Sequence, residues 1–319
     1  MELQSIGLIG LGNAGGPIGE RLLKKGYKVK VYDRNQQAID ALVKLGATGT
    51  DSPVATVSDV TFTVLPGSIE VRETLFGPQG ILGALNGKNT LIDLSGTDPG
   101  CARELQEKIG AKAGNFLGGT IHAAGAPSAT IPQGLLSLVI GGDKAVFDRC
   151  TEVLKALAQT VIYVPEPYIP KAIKIAVIML ATANTVMLAE ICSWLEAQNI
   201  DPKLYLRVQQ INGSDGAGRI ETFFKRSKSY GGALSNSYKD LHQALQVAPD
   251  LNVPLSLPFT ALAHQIQEMG RAKGLTRLNS PAAIGKLYEF LTGINLDRAT
   301  IEQTERTFDE PHEPEIVYL

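Results

Sequence analysis

Residues 6–34 read IGLIGLGNAGGPIGERLLKKGYKVKVYDR, and the fold is decided in this stretch. A short apolar run at residues 6–10 meets Gly10-Leu11-Gly12-Asn13-Ala14-Gly15, and an amphipathic stretch follows at 14–25. The run predicts a strand and the stretch a helix. The G-x-G-x-x-G spacing between them gives each glycine a task. The first permits the tight turn, the second lets backbone approach a pyrophosphate, and the third lets helix pack on strand. The helix start then offers backbone amides and a positive dipole end to phosphate. A second strand, residues 28–33, ends at Asp33. A carboxylate there suits the ribose hydroxyls of NAD and would repel the extra phosphate of NADP. Arg34 pulls the other way, because a guanidinium pairs phosphate. NAD is favoured and NADP stays open. The plainer alternative is a glycine turn in a nucleotide-free α/β protein.

Further β-branched runs at 60–65 and 90–94 alternate with helical patterns at 36–45 and 69–85, which predicts βαβ units and a doubly wound parallel sheet. Runs at 135–140 and 161–164 bracket a helical stretch at 144–158 and complete the sheet. After Val164 the character changes. The breaker PEPYIP at 165–170 leads into one long helical pattern, 171–198, roughly 42 Å at 1.5 Å per residue. Shorter helical patterns at 202–209, 234–247, 257–270 and 280–291 come next, and no strand is read after Val164. The organisation expected is a nucleotide-binding α/β domain over 1–164, an all-helical domain over 165–300, and a poorly packed, acidic polar tail over 301–319.

The chain has 319 residues, 44% hydrophobic and 19% charged, with a formal net charge of −2. That balance argues against nucleic acid or an anionic membrane as partner. Cys101, Cys150 and Cys192 are scattered without metal spacing, as thiols in a reducing, cytoplasmic compartment are; no metal site is expected. Glu2 stands where a signal peptide would be basic. The apolar stretch 175–189 is shorter than a bilayer span and contains Thr182, Asn184 and Thr185, so it reads as a buried helix.

Several segments, in order, resemble the β-hydroxyacid dehydrogenases, the family that includes 3-hydroxyisobutyrate dehydrogenase and tartronate semialdehyde reductase. Besides residues 6–34 these are TVLPGSIEVRETLFGPQGIL (63–82), DLSGTDP (93–99), GLLSLVIGG (134–142) and Tyr238-Lys239-Asp240-Leu241. The resemblance implies that Leu65 and Pro66 lie along the cofactor, that Gly96 sits by the nicotinamide ribose, and that Lys239 reaches towards the cofactor. Counting back from Ala189-Glu190, which looks like the family's Ala-Glu pair, places the catalytic lysine at Lys174. Such chemistry needs a group that exchanges the hydroxyl proton as hydride moves. Lys171, one turn earlier, is the competitor. A homodimer or homotetramer, with the active site between the domains, is also implied.

Departures from the family fall at the substrate end. Its carboxylate loop, Asp-x-Pro-x-Ser-Gly-Gly, here reads IHAAGAP (121–127). Gly125 replaces the serine, and Pro127 replaces a glycine and has no N–H to give. His122, Ala124, Gly125 and Ala126 are the residues this loop would bring to substrate. Val177 and Ile178 replace the two asparagines after the lysine, and Ile178 would line a drier pocket. His122 is either a displaced acid/base or a histidine that caps backbone, and His242 and His264 read as structural. The expected function is reversible oxidation of a hydroxyl, on a hydroxyacid or related alcohol, with a lysine acid/base. The alternatives are a non-catalytic NAD(P) sensor and an imine reductase on the same scaffold.

Overall fold

The computed structural model describes residues 5–123, 127–211, 233–250, 256–294, 296 and 315–318. Two compact units divide the chain: residues 1–174 with 308–319, and residues 175–307.

The first unit is built on one sheet with strands β1 (Ser5–Ile9), β2 (Lys28–Tyr32), β3 (Thr48–Gly49), β4 (Val60–Thr63), β5 (Thr90–Asp93), β6 (Asn115–Ala123), β7 (Leu136–Gly142), β8 (Thr160–Val164) and β9 (Glu315–Tyr318). Their spatial order is β3-β2-β1-β4-β5-β6-β7-β8-β9. The order reverses at β1, which lies between β2 and β4. In such sheets the crevice outside the carboxyl ends at the reversal is where ligands bind. Pairing is parallel except between β6 and β7, which run antiparallel from Leu117↔Gly142 to Ala123↔Leu136. The doubly wound parallel sheet expected is thus present, with one antiparallel pairing within it.

Helices cover both faces because β-strand side chains alternate. Ile6 and Leu8 of β1 join Ile18 and Leu22 of α1 (Gly15–Lys24), Ile39 and Leu42 of α2 (Gln36–Val43), and Phe147 and Leu154 of a later helix in one core. Ile9 faces the other side, with Leu91, and packs with residues of the helices there. Those helices are α4 (Ser68–Phe76) and α5 (Pro99–Gly110), which follow α3 (Pro53–Thr56), a single turn before β4. Val71 and Leu75 of α4 and Leu105 and Ile109 of α5 fill that second core. The helix read over 69–85 breaks at Gly77, whose added Cβ would lie 2.4 Å from the Glu73 carbonyl oxygen. A short α6 (Pro127–Thr130) precedes β7, and α7 (Lys144–Leu157) returns the chain to β8.

The second unit takes up most of α8 (Ile169–Glu196) and continues with α9 (Pro202–Ile211), α10 (Leu234–Val247), α11 (Pro258–Ala272) and α12 (Ser280–Thr292). Val186, Ala189 and Cys192 of α8 pack with Leu206, Leu241, Ile266, Ile284 and Leu287. Ser237 and Gln267 are buried in this unit, and Gln267 Nε2 donates to Ser237 Oγ at 2.8 Å, while Gln267 Oε1 has no hydrogen-bond partner among the described residues. α8 is not buried all round, as its composition suggested. Ile173, Leu180, Met187 and Trp194, seven residues apart, are exposed along it, as is Val177.

Candidate active site

The glycine crossing behaves as its spacing demands. Gly10 has φ +94°, and a Cβ on Gly15 would stand 1.9 Å from the Gly10 carbonyl oxygen. Only a chain without side chains can bring helix and strand this close. Around Gly12 the situation is opposite: nothing lies within 4 Å of an added Cβ, and the residue is exposed. No side chain caps α1, which begins after Asn13 and Ala14. By contrast Asn35 caps α2, Asp98 caps α5 and Asp143 caps α7 through hydrogen bonds from Gln37, Cys101 and Val146 amides. Four N–H groups at a helix start need acceptors. An open cradle beside an uncapped dipole end fits the pyrophosphate of a dinucleotide.

Asp33 closes this cradle. Its carboxylate accepts from the Leu11 amide at 2.6 Å and from the Asn35 amide at 2.8 Å, so it braces the loop and faces the crossing. Arg34 is exposed and donates to Glu73 of α4 at 2.7 Å. The neighbouring loops are stitched together. The Leu65 amide donates to Ser95 Oγ at 2.9 Å, and the Gly96 amide donates to the Leu65 carbonyl at 3.3 Å. Leu65, Pro66 and Gly96 thus stand at the carboxyl ends of β4 and β5, the same edge as the glycine crossing.

At this edge α8 also begins. The segment before it crosses the sheet in direct contact: an added Cβ on Gly118 would lie 2.1 Å from the Pro167 carbonyl oxygen, and one on Gly141 2.1 Å from that of Glu166. Tyr168 lies under the Arg103 guanidinium at 3.9 Å. Lys171 then turns into the protein and is 1% exposed. Its Nζ donates to Asp93 Oδ2 at 2.8 Å and to the carbonyls of Asp93 (3.0 Å), Ser95 (3.0 Å) and Gly119 (2.8 Å). Asp93 further accepts from Thr63 Oγ1, the Ser95 amide and Thr97 Oγ1. Burial pushes the Asp93 carboxyl up, but the Lys171 charge and these hydrogen bonds outweigh it and hold it below the usual range.

Lys174, one turn further, is half-buried. His122 on β6 shares its surroundings. Burial, and after it the Lys174 charge, lowers the imidazole pKa below its ordinary value. The His122 Nε2 is 3.0 Å from Thr120 Oγ1. Ala124, Gly125 and Ala126 lie outside the described residues. Ile178 and Lys239 belong to the second unit: Ile178 packs against its core, and the Lys239 Nζ is 3.4 Å from Asp240 Oδ1. His242 and His264 stack there with Tyr238, ring centroids of Tyr238 and His264 being 4.4 Å apart. Among the described residues no three of His, Cys, Asp and Glu gather as a metal set.

Sequence reasoning missed the Lys171–Asp93 pair. A lysine after a proline-rich breaker carries no mark of burial, and its partner is 78 residues away. The one available signal was Asp93 itself, a carboxylate ending an apolar strand.

Residues 5–165 match the family described as the NAD binding domain of 6-phosphogluconate dehydrogenase. The 2-(hydroxymethyl)glutarate dehydrogenase of Eubacterium barkeri is 31% identical over 300 residues, 91% of this chain and 97% of that protein. The 3-sulfolactaldehyde reductase of Escherichia coli (strain K12) is 30% identical over 283 residues, covering 86% and 93%. A solved structure of Mycobacterium tuberculosis 3-hydroxyisobutyrate dehydrogenase with L-serine matches with a TM-score of 0.76 at 21% identity, over 90% of this chain and 99% of that one.

Proposed function

Because the chain belongs to the β-hydroxyacid dehydrogenase family and is an NAD(P)-dependent oxidoreductase acting on a CH–OH group, we propose that Lys174 is its proton donor and acceptor. The observation that carries this reading is the contrast between the two lysines of one helical turn. Lys171 spends its donors on four protein oxygens inside the first unit, whereas Lys174 is half-buried beside a neutral-leaning histidine. A partly desolvated ammonium gives up its proton more readily than one in water.

The Gly12 backbone and the start of α1, with Asn13, Ala14 and Gly15, would hold the cofactor pyrophosphate. Asp33 would accept from the ribose, and Leu65, Pro66 and Gly96 would meet the nicotinamide side. NAD(P) supplies the hydride acceptor in oxidation and the donor in reduction. Lys174 takes up the hydroxyl proton in one direction and returns it to the carbonyl oxygen in the other. Arg34 is paired with Glu73 of α4, which favours NAD over NADP.

The substrate is an alcohol less polar than the small hydroxyacids, or one without a carboxylate in the family position. Gly125 offers no hydroxyl, Pro127 no N–H, and Val177 and Ile178 no amide. His122 is the remaining polar group of that loop available to such a substrate. We also assign the heptad-spaced apolar row on α8 to a second copy of the chain, making a homo-oligomer, and place the enzyme in the cytoplasm, where its three buried thiols stay reduced.

NADH formation at 340 nm across hydroxyacids, diols and larger alcohols, with wild type beside Lys174→Ala, tests the assignment. Turnover falls at least ~10²-fold in the variant while NADH still binds. NADH binding without turnover of any alcohol by the wild type would favour a nucleotide sensor instead.

A further inference from the structure

Lys171 is expensive where it stands. Taking an ammonium and a carboxylate out of water costs more than a well-packed apolar pair would, so a buried pair is a poor device for stability alone. What it gives is geometry. The Lys171 Nζ reaches Asp93 and Ser95 at the end of β5 and Gly119 within β6. Asp93 in turn takes the Thr63 hydroxyl from β4, the Ser95 amide and the Thr97 hydroxyl. Ser95 Oγ then receives the Leu65 amide, and the Leu65 carbonyl receives the Gly96 amide. One ammonium therefore joins the first turn of α8 to both loops that we assign to the nicotinamide side. Every contact in this chain of bonds lies within the first unit.

We propose that Lys171 is a positioning residue: the buried Lys171–Asp93 pair fixes the helical turn bearing Lys174 in register with the Leu65 and Gly96 loops, so that proton donor and hydride carrier face one reacting carbon. The proposal rests on the reading of Lys174 as the proton donor. A reacting geometry is sensitive to such a tether, since a displacement of about 1 Å can cost 10²-fold in rate. Lys171 itself stays off the reacting atoms, because its donors are engaged by protein oxygens.

The test uses Lys171→Met/Asp93→Asn, which removes both buried charges together and keeps an acceptor for Thr63 and Ser95. Active protein is counted by NADH titration, and kcat and KM are measured per binding site along with the pH profile of kcat. The expected result is a cooperatively folding protein in which kcat drops about tenfold or more and the KM for cofactor rises. The substrate KM changes little, and the pH limb of kcat moves. Lys171→Arg keeps the charge but cannot place its donors on the same four oxygens, and serves if the double variant does not fold; it shows the same split. A purely structural pair would lower the melting temperature and leave kcat per site and its pH limb alone. Values within twofold of wild type, in a background where Lys174→Ala abolishes turnover, overturn the proposal. If Lys174→Ala still turns over, the proton-donor reading fails instead, whatever the double variant does.

Discussion

Two helices begin at the same edge of the sheet and are held there by opposite means. α1 is fixed by absence: with no side chain on Gly15, the helix start comes against the Gly10 carbonyl at a distance no Cβ would allow. α8 is fixed by presence: one long side chain is threaded into the protein and fastened to four oxygens. The first device leaves the surface open for something to approach. The second fills the interior and fixes the turn that bears Lys174, the residue we propose as proton donor. A fold can thus fix the start of one helix by omitting atoms and the start of another by anchoring a side chain.

Breaking the second device has the larger expected effect. Lys171→Met alone strands the Asp93 carboxylate, and urea unfolding is expected to show a loss of about 3–5 kcal/mol, much of it recovered when Asp93→Asn is added. The pH dependence sharpens this. Asp93 is depressed below its unfolded value of ~3.9. Its contribution is therefore complete above that pH and disappears as pH falls through the folded value. The double variant should lose that part of the acid sensitivity in urea midpoints measured from pH 6 downwards.

The first device breaks in two separable ways. Gly15→Ala forces a Cβ against backbone and should destabilise the cofactor-free protein by roughly 1–3 kcal/mol. Gly12→Ala meets no protein atom. Its cofactor-free stability should stay within about 0.5 kcal/mol of wild type. NADH affinity by fluorescence titration should nonetheless weaken about tenfold, roughly 1.4 kcal/mol. Equal stability losses in the two variants would show that the glycines do not divide their tasks.

The smallest effect probes the Lys174 end of the α8 turn. The His122 imidazole should titrate below ~6.5 by NMR. Lys174→Ala should raise that value without restoring it fully, because burial is the larger cause. An unchanged His122 titration would mean that Lys174 does not face it.

Much of this was legible in the sequence, and the reasons for the rest are physical. Strands β1, β2, β4, β5, β7 and β8 stand close to where β-branched runs predicted them. β6 escaped because Gly118 and Gly119 dilute its pattern, and the structure explains at least one of them: the Glu166–Pro167 backbone crosses over Gly118. α5 escaped although Asp98-Pro99 is a proper helix start, with the aspartate capping Cys101 and the proline in the first turn. The glycine crossing was readable because its chemistry is local, six residues long. The Lys171–Asp93 pair was not, because burial of a charge depends on a partner that only the folded chain supplies. Residues 315–318 were read as part of a polar tail, yet their backbone pairs in parallel with β8 from Thr160↔Glu315 to Tyr163↔Tyr318. Pro311, Pro314 and the acidic residues around them give this stretch the composition of a tail, which hides the short apolar run Ile316-Val317.

That last strand has a consequence in time. Residues 175–307 are all synthesised between β8 and β9, which at ~5–20 residues per second takes on the order of ten seconds. For that interval the outer edge of β8 presents unpaired amides and carbonyls to any neighbouring nascent chain. The order of manufacture therefore leaves the sheet with a sticky border until its final strand arrives, and shortening the chain before Glu315 would make that border permanent.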